Sequence, residues 1–352
     1  MVALGARLDG PPPLSGARRP PAYAALDLGT NNCRLLIARP TSDGFRVIDA
    51  FSRIVRLGEG LSTSGRLSRA AIDRTLEALR ICRDKMAARG VTRARTIATE
   101  ACRAADNGQA FVDEVRERLG IELEIVDGET EAHLAAAGVG DLADRSAQGA
   151  VMFDIGGGSS EIIWLGDPSA VLGDPRPERG GRVRAWESLR LGVVSLAETF
   201  GGVDVSDEVF VAMQTHVYKA LTPFVERVAG RTRCERFHLL GTSGTVTTVA
   251  GVHLNLPRYD RRAVDGLWLR GHEVDEAVAR LRAMTYAERA ANACIGQERA
   301  DLVLAGCAIL EAIRAHFPAD RLRIADRGLR EGILTQMMRE DSVGPHQRSR
   351  WR

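Results

Sequence analysis

The sequence carries almost no net charge, and this shortage limits the ligands that the protein could attract. Among 352 residues, 48 Lys and Arg stand against 46 Asp and Glu, which gives a formal net charge of +2. A chain of this balance lacks the broad basic field with which many proteins attract nucleic acid. We therefore predict no nucleic-acid partner, and a polyanionic ligand must be held locally by a few basic side chains and backbone amides.

Cysteine and histidine are also scarce, and neither forms a recognisable metal or redox motif. The six cysteines contain no Cys-x-x-Cys pair and no zinc-type spacing, and the seven histidines form no paired ligand motif. This pattern is typical of scattered reduced thiols and predicts a cytoplasmic protein. The cysteines are Cys33, Cys82, Cys102, Cys234, Cys294 and Cys307.

Long apolar runs are absent as well. No run reaches the ~18 residues that a membrane span needs, so we predict no membrane partner. Residues 1–21 are rich in proline and lack the apolar stretch of a signal peptide, so we expect a disordered leader there. Residues 341–352 are expected to form a basic, solvated tail.

What the sequence does contain is a glycine-rich acidic turn that occurs twice. Residues 154–161 read Asp-Ile-Gly-Gly-Gly-Ser-Ser-Glu and follow the apolar run 150–153. A looser copy, Asp-Leu-Gly-Thr-Asn-Asn at 27–32, follows residues 22–26. Each copy predicts a strand that ends in Asp, a turn, and a second strand that runs back. Such turns let backbone N–H groups approach an anion closely, and the aspartate can hold a divalent cation beside it.

The order of the predicted elements also occurs twice, which predicts two lobes. Both halves follow the order strand, strand, strand, helix, strand, helix, as expected for a bilobal α/β protein with a cleft between the lobes. We predict a first lobe at 22–128, a second lobe with helical insertions at 129–325, and a C-terminal helix at 326–340. Residues 166–182 show no periodicity and are expected to form an exposed hairpin loop.

Three further segments carry residues that suit a phosphate site, and each has a purely structural alternative. The loop 241–245 follows a strand and opens a helix, where free N–H groups either bind an anion or form a capped junction. Arg103 follows a first-lobe strand and is either a phosphate ligand or a surface arginine. Glu129 and Glu131 begin a helix between the halves; residue spacing does not decide whether either of them activates a water or both simply favour the helix start.

Together these segments resemble the exopolyphosphatase/guanosine pentaphosphate phosphatase (Ppx/GppA) family, which belongs to the superfamily of actin, heat-shock ATPases and sugar kinases. The similar motifs lie, in order, at 27–34, 98–107, 128–132, 154–161, 188–192, 241–245, 299–301 and 329–332. The first turn has Thr-Asn-Asn where the family commonly has Ser-Asn-Ser, and the second ends in Ser-Ser-Glu instead of Ser-Thr-Glu. Both departures keep small polar side chains.

The resemblance implies a role for individual residues. The family's catalytic glutamate falls on Glu131, its metal-binding acids fall on Asp154 and Glu161, and its phosphate-binding arginine falls on Arg103. We also expect Asp27, at the first turn, to help hold the metal. The implied cofactor is Mg²⁺ or Mn²⁺. The full predicted phosphate-binding set is Gly29, Thr30, Asn31, Asn32, Arg34, Arg103, Gly156, Gly157, Gly158, Ser159, Ser160, Gly241, Ser243 and Gly244.

The resemblance further implies two ribonuclease-H-like α/β lobes that hydrolyse a terminal phosphoanhydride bond and release orthophosphate from inorganic polyphosphate or pppGpp. We expect a short form without the extra C-terminal helical domain of longer members, and a homodimer on frequency grounds. Two alternatives stay open: an ATP-dependent small-molecule kinase of the same superfamily, and a non-catalytic polyphosphate or alarmone sensor. The presence of Glu131 favours catalysis, and the lack of a second adenosine-type Gly-Gly loop disfavours the kinase.

Overall fold

A computed structural model describes residues 20–166, 183–229 and 237–342, and these residues are organised by two β-sheets. We refer to the part of the chain around each sheet as a lobe. Most of the predicted leader, hairpin loop and basic tail lies outside the described residues. Across the described ranges, no helix combines the length and the apolar character needed to cross a membrane.

The sheet of the first lobe has the spatial order β3-β2-β1-β4-β5. Its strands are β1 (Ala22–Leu28), β2 (Asn32–Thr41), β3 (Gly44–Ile54), β4 (Val91–Ala98) and β5 (Glu124–Ile125). β1 runs antiparallel to β2 and parallel to β4. β5 is short, because Ile121 and Leu123 are buried from irregular backbone and only Glu124–Ile125 pairs with β4.

Helices of the first half pack on this sheet. They are α1 (Leu61–Ser64), α2 (Arg69–Ala88), α3 (Glu100–Ala104), α4 (Gly108–Leu119) and α5 (Gly128–Val139). Ser68 caps α2, since its hydroxyl accepts a hydrogen bond from the Ala71 N–H (3.2 Å). Asn107 precedes α4, but its side-chain amide forms hydrogen bonds with both backbone groups of Leu67 and does not cap the helix. α2 and α4 supply apolar side chains to one core with this sheet.

The sheet of the second lobe repeats the arrangement of the first. Its strands are β6 (Gly149–Ile155), β7 (Ser160–Gly166), β8 (Val183–Leu189), β9 (Phe237–Thr242), β10 (Trp268–Arg270) and β11 (Arg321–Ala325). The spatial order is β10-β11-β9-β6-β7-β8, with β6 antiparallel to β7 and parallel to β9. The strands β8-β7-β6-β9-β11 thus correspond to β3-β2-β1-β4-β5, which confirms the predicted bilobal α/β fold; the edge strand β10 was not predicted.

Helices of the second half form the largest apolar core with this sheet. They are α6 (Val193–Phe200), α7 (Asp207–Val228), α8 (Gly244–His253), α9 (Arg261–Val264), α10 (Gly271–Ala283), α11 (Tyr286–Ala291) and α12 (Val303–His316); the last helix, α13 (Leu329–Ser342), contributes instead to a core with the first sheet. Ser206 caps α7, since its hydroxyl accepts a hydrogen bond from the Val209 N–H (3.3 Å). α12 begins at Val303, after a short 3₁₀ turn at Gln297–Arg299.

α5 and α13 lie between the two sheets and connect the lobes. Leu134 of α5 packs with Ile333 of α13 against the first sheet, whereas Ala132 packs against the second. The two helices approach very closely, because a Cβ on Gly332 would lie 1.9 Å from the Leu134 carbonyl oxygen. This close crossing fixes α5, and with it Glu131, at the junction of the lobes.

Candidate active site

The two glycine-rich turns have the same backbone hydrogen bond. The Gly29 N–H donates to the Asn32 carbonyl oxygen (2.9 Å), and the Gly156 N–H donates to the Ser159 carbonyl oxygen (3.0 Å). Each turn joins the central strand of its sheet to the antiparallel neighbour. The sequence repeat therefore corresponds to a repeat in backbone geometry.

The residues that flank the turns face each other across their strand pairs. Asp27 lies opposite Arg34, and Asp154 lies opposite Glu161. The first lobe thus pairs an acid with a base, whereas the second places two acids side by side. Burial raises the pKa of Asp27, and it raises the pKa of Asp154 to about 6, while the Arg34 charge opposes both shifts. The Arg34 charge therefore stabilises the ionised form of one aspartate in each lobe.

The two turns pack directly against each other. A Cβ on Gly158 would lie 2.5 Å from Thr30 Oγ1, and a Cβ on Gly157 would lie 3.1 Å from the Asn31 nitrogen. Thr30 and Asn31 are both buried, and Asn31 Oδ1 has no hydrogen-bond partner among the described residues. These glycines are required by the close approach of the first turn, whose residues Thr30 and Asn31 occupy the space that side chains at Gly157 and Gly158 would take.

A cluster of buried acids lies beside the second turn. Glu161 is 2% exposed and accepts hydrogen bonds from the hydroxyls of Ser188 (2.9 Å) and Ser159. Burial raises the pKa of Glu161, and the Asp154 charge raises it further. Burial also raises the pKa of Glu131 well above its usual range, with the Glu161 charge as the second cause. Three carboxyl groups therefore share one poorly solvated region.

Glu131 and Glu129 differ in burial, so the structure distinguishes between them, which residue spacing in the sequence does not. Asp127 caps α5 by accepting a hydrogen bond from the Thr130 N–H (2.8 Å), which fixes where the helix begins. From that start, Glu131 is buried toward the acid cluster, whereas Glu129 is exposed to solvent. A carboxyl group held in a cleft with a raised pKa is suited to act as a general base.

Arg103 contacts this carboxyl group directly. Its Nη1 lies 3.4 Å from Glu131 Oε2, and its Nε donates to Glu100 (2.9 Å). Nη1 also donates to the Val126 carbonyl oxygen. The side chain is only 18% exposed, so Arg103 is not a surface arginine. Arg190, which is much more exposed, reaches Glu100 from the second lobe at 3.7 Å.

The loop after β9 contributes unequally to the site. Ser243 has a φ of 81°, a left-handed conformation that is uncommon for a non-glycine residue. Its hydroxyl donates to Asp154 and lowers the pKa of that acid, and Gly244 begins α8 beside it. Gly241 instead faces the core, where an added Cβ would lie 2.8 Å from the Phe153 ring. Ser243 and Gly244 thus join the site, and Gly241 does not.

The second turn is also tied into its own lobe. The Ser160 hydroxyl donates to the Leu191 carbonyl oxygen (2.7 Å), so it does not face the cleft. The N–H groups of Val193 and Val194 donate to the carbonyl oxygens of Gly156 (3.0 Å) and Gly157 (2.8 Å). These bonds hold the turn on the start of α6.

Arg330 and Arg299, for which the sequence predicted no role, also face this region. The Arg330 charge lowers the pKa of Asp27, while burial, helped by the Arg34 charge, lowers the pKa of Arg330 itself. Arg299 Nη1 lies 3.4 Å from the position of a Cβ on Gly244. Both arginines lie in segments that resemble family motifs, 299–301 and 329–332. Their place in those motifs is the sequence feature from which a role at the site could have been predicted.

The donor set fits a small hard cation. Mg²⁺ is commonly bound by one or two carboxylates together with waters and substrate phosphates. Asp154 and Glu161 provide such a pair, and because burial raises the pKa of both, a bound cation would favour their charged forms. Among the described residues, no group of three or more His, Cys, Asp or Glu side chains is arranged to hold a metal by protein ligands alone.

Comparison with known proteins agrees with this fold and site. The sequence profile of the Ppx/GppA phosphatase family matches residues 36–341. "Exopolyphosphatase 2" of Mycobacterium tuberculosis is 31% identical over 333 residues, which cover 89% of this chain and 98% of that protein. The "Guanosine-5'-triphosphate,3'-diphosphate pyrophosphatase" of Aeromonas salmonicida is 28% identical over 317 residues, which cover 89% of this chain and 59% of that protein.

A solved structure gives the same result. The exopolyphosphatase of Cytophaga hutchinsonii superposes with a TM-score of 0.81 at 25% identity, over 92% of this chain and 99% of that one. The chain therefore belongs to the Ppx/GppA phosphatase family, as its motifs predict.

Proposed function

We propose that this protein hydrolyses the terminal phosphoanhydride bond of inorganic polyphosphate, of pppGpp, or of both, and releases orthophosphate. The observation that carries the proposal is the position of Glu131, a buried carboxyl group at the lobe junction beside Arg103 and the pair Asp154 and Glu161. The relatives named as an exopolyphosphatase and as a pppGpp pyrophosphatase support the same reaction.

In the proposed reaction, Glu131 accepts a proton from the water that attacks the terminal phosphorus. The P–O bond to the remaining chain breaks, and the electron pair stays on the leaving oxygen. A base works best when its pKa lies near the working pH, and burial moves the pKa of Glu131 upward in that direction. The Arg103 charge opposes this shift, so the contact between the two residues sets how readily Glu131 gives up its proton at neutral pH.

We assign phosphate binding to the predicted residues that face the cleft, which leaves out Gly241 and the Ser160 hydroxyl. Arg34 acts on both aspartates of the cleft, and Arg103 contacts the proposed base, so each can meet a terminal phosphate beside Glu131. Ser243 and Gly244 offer the start of α8, where N–H groups have no helical partner. Arg299 and Arg330 add further positive charge around the same proposed phosphate site. Fixed positive groups of this kind stabilise the charge that develops in phosphoryl transfer.

Asp154 and Glu161 are the proposed ligands of Mg²⁺ or Mn²⁺, with Asp27 beside them. When bound, the ion supplies positive charge to the phosphate oxygens. Arg34 partly offsets Asp27 and Asp154, and the hydroxyls of Ser159 and Ser188 orient Glu161 for that role.

The proposal is tested by initial rates of orthophosphate release from polyphosphates of defined length, pppGpp and ATP. We expect release from polyphosphate or pppGpp well above that from ATP. Substrate binding without release would support the sensor, and ADP formation only with an added acceptor would support the kinase. The homodimer and the cytoplasmic location stay predictions, which sedimentation and cell fractionation would check.

A further inference from the structure

Arg56 has an unusual backbone and supports the first turn. It follows β3 and has a φ of 47°, in the left-handed region that non-glycine residues rarely adopt. Its N–H donates to the Asn31 carbonyl oxygen (3.0 Å), and the preceding Val55 N–H donates to the same oxygen (2.9 Å). Arg74 holds this segment from α2 by donating to the Val55 carbonyl oxygen (3.1 Å). The carbonyl of the central turn residue is thus fixed by the backbone of Arg56.

The side chain of the same residue reaches the other lobe. Arg56 Nη1 lies 3.0 Å from Asp301, and Nη2 donates to the Glu298 carbonyl oxygen (3.1 Å). Both partners belong to the segment before α12, in the second lobe. Asp301 is fixed there, because its backbone packs so tightly on Gly202 that a Cβ on this glycine would lie 2.1 Å from the Asp301 carbonyl oxygen.

A second contact between the lobes lies beside the first. The Gly60 N–H donates to Glu198 Oε1 (2.8 Å), and the Ser62 hydroxyl donates to the other oxygen of the same carboxylate. Glu198 and Asp301 both line a pocket of about 330 Å³ between the lobes, together with Arg56 and Asn31. The contacts of Arg56 and Glu198 therefore join the lobes at the rim of one pocket that reaches the first turn.

We propose that Arg56 is a positioning residue that couples closure of the lobes to the geometry of the first phosphate-binding turn, an inference that rests on the proposed function for its effect on activity. The ion pair with Asp301 forms only when the lobes are as close as they are here. The backbone N–H of Arg56 then holds the Asn31 carbonyl group in position by its hydrogen bond. Loss of the side chain leaves that N–H in place but weakens closure, so a smaller fraction of molecules is ready to bind substrate, and apparent affinity falls by that fraction.

The direct test measures the distance between the lobes without substrate. Spin labels are attached at Glu117→Cys in the first lobe and Glu276→Cys in the second, both exposed, in a Cys234→Ser background. Arg56→Gln is expected to give a longer or broader distance distribution than the parent, and Arg56→Lys an intermediate one, since lysine keeps the charge but loses the forked geometry.

The matched control is Arg53→Gln. Arg53 lies on β3, three residues before Arg56, but its partner Glu77 (3.8 Å) belongs to the first lobe. The distance distribution of the Arg53→Gln variant should therefore equal that of the parent. An Arg56→Gln distribution identical to the parent would overturn the proposal. This result needs no activity, so it stands apart from the proposed function, which fails if the wild type releases no phosphate from polyphosphate or pppGpp.

Kinetics supply the second test. Arg56→Gln and Asp301→Asn are each expected to raise KM roughly twofold to fivefold, the range of one partly exposed ion pair, while kcat stays within about twofold. The double variant should be no worse than the poorer single variant, because both remove the same pair. A fall in kcat with unchanged KM, or additive losses in the double variant, would contradict a closure role.

Discussion

Arg34 and Glu161 occupy equivalent places in the two lobes, because each lies on the return strand directly opposite the aspartate that is the last but one residue of the preceding strand. The charge at this place is reversed between the lobes. In the first lobe the arginine offsets Asp27, whereas in the second the glutamate adds a second buried negative charge to that of Asp154. Like charges in a poorly solvated place destabilise a protein unless protons or a cation neutralise them. The second lobe is therefore where we expect a divalent ion.

The first prediction concerns stability without metal. Burial raises the pKa of Asp154 to about 6, above the usual 3.8, so its contribution to stability is present below pH 4 and is lost as the pH rises through about 6. Asp154→Asn replaces the acid with an amide that does not titrate, so the variant does not lose this stability as the pH rises. In excess chelator at pH 8, we expect the variant to be more stable than the wild type by about 1–3 kcal/mol in urea unfolding. At pH 4 the difference should shrink.

Added Mg²⁺ should reverse that order. A cation that binds only the folded state stabilises it by mass action, and Asp154→Asn loses a ligand. The variant should also need more metal for half-maximal phosphate release. The control is Asp43→Asn, an exposed aspartate in the β2–β3 turn, which should change neither quantity. Full wild-type activity in excess chelator would contradict the metal assignment.

The second prediction concerns the contact between the turns. Gly158→Ala places a Cβ 2.5 Å from Thr30 Oγ1, so one turn must move. Overpacking of this kind typically costs about 1–3 kcal/mol of stability, and phosphate release should fall because both turns belong to the site. Gly140→Ala is the control, since its Cβ would meet nothing within 4 Å.

A double-mutant cycle checks the cause. Thr30→Ala removes the clashing hydroxyl, so the combined variant with Gly158→Ala should lose less stability than the sum of the single losses. Strict additivity would mean that the two turns are not in contact in solution.

The repeated turns could be predicted from sequence because their signals are local. An apolar run, a strand-end aspartate and glycines specify strand, turn and return strand without help from distant residues. The two lobes followed from the repeat of that order. The predicted metal pair Asp154 and Glu161 is brought together by the register of one hairpin, which the turn itself sets.

The remaining features depend on tertiary contacts that no local pattern encodes. Glu129 and Glu131 share the first turn of α5, and only the packing of that helix between two sheets decides which of them is buried. The same holds for Gly241, whose glycine is required by the Phe153 ring in the core, and for Gly158, whose glycine is required by the other lobe. A sequence shows that a side chain must be absent, but it does not show what fills the space.

The third prediction concerns Arg103. Its charge lowers the pKa of Glu131, so Arg103→Ala should raise that pKa further. If Glu131 must be deprotonated to act, the acidic limb of the pH profile of kcat/KM moves to higher pH. Loss of a charge-assisted contact should also lower kcat/KM at its optimum by roughly ten- to a hundredfold, about 1.5–3 kcal/mol.

Arg103→Lys should restore part of both effects, because it keeps the charge but not the forked geometry. Arg116→Gln, an exposed arginine of α4 paired with Asp113, is the control and should leave the profile unchanged. A lower rate in Arg103→Ala with an unshifted acidic limb would assign Arg103 to substrate binding alone.

The fourth prediction concerns the base itself. Glu131→Gln keeps the shape of the side chain and removes its basicity, so the rate of phosphate release in a single turnover should fall by ~10²–10⁴-fold. Binding of polyphosphate should hold or improve, because one negative charge near a polyanion is gone. The control is Glu129→Gln, which changes the same residue type two positions away in the same helix turn but on the exposed side. If Glu129→Gln is the impaired variant and Glu131→Gln is near wild type, the base is assigned to the wrong glutamate. If both retain the full rate, the attacking water is activated by a group outside α5.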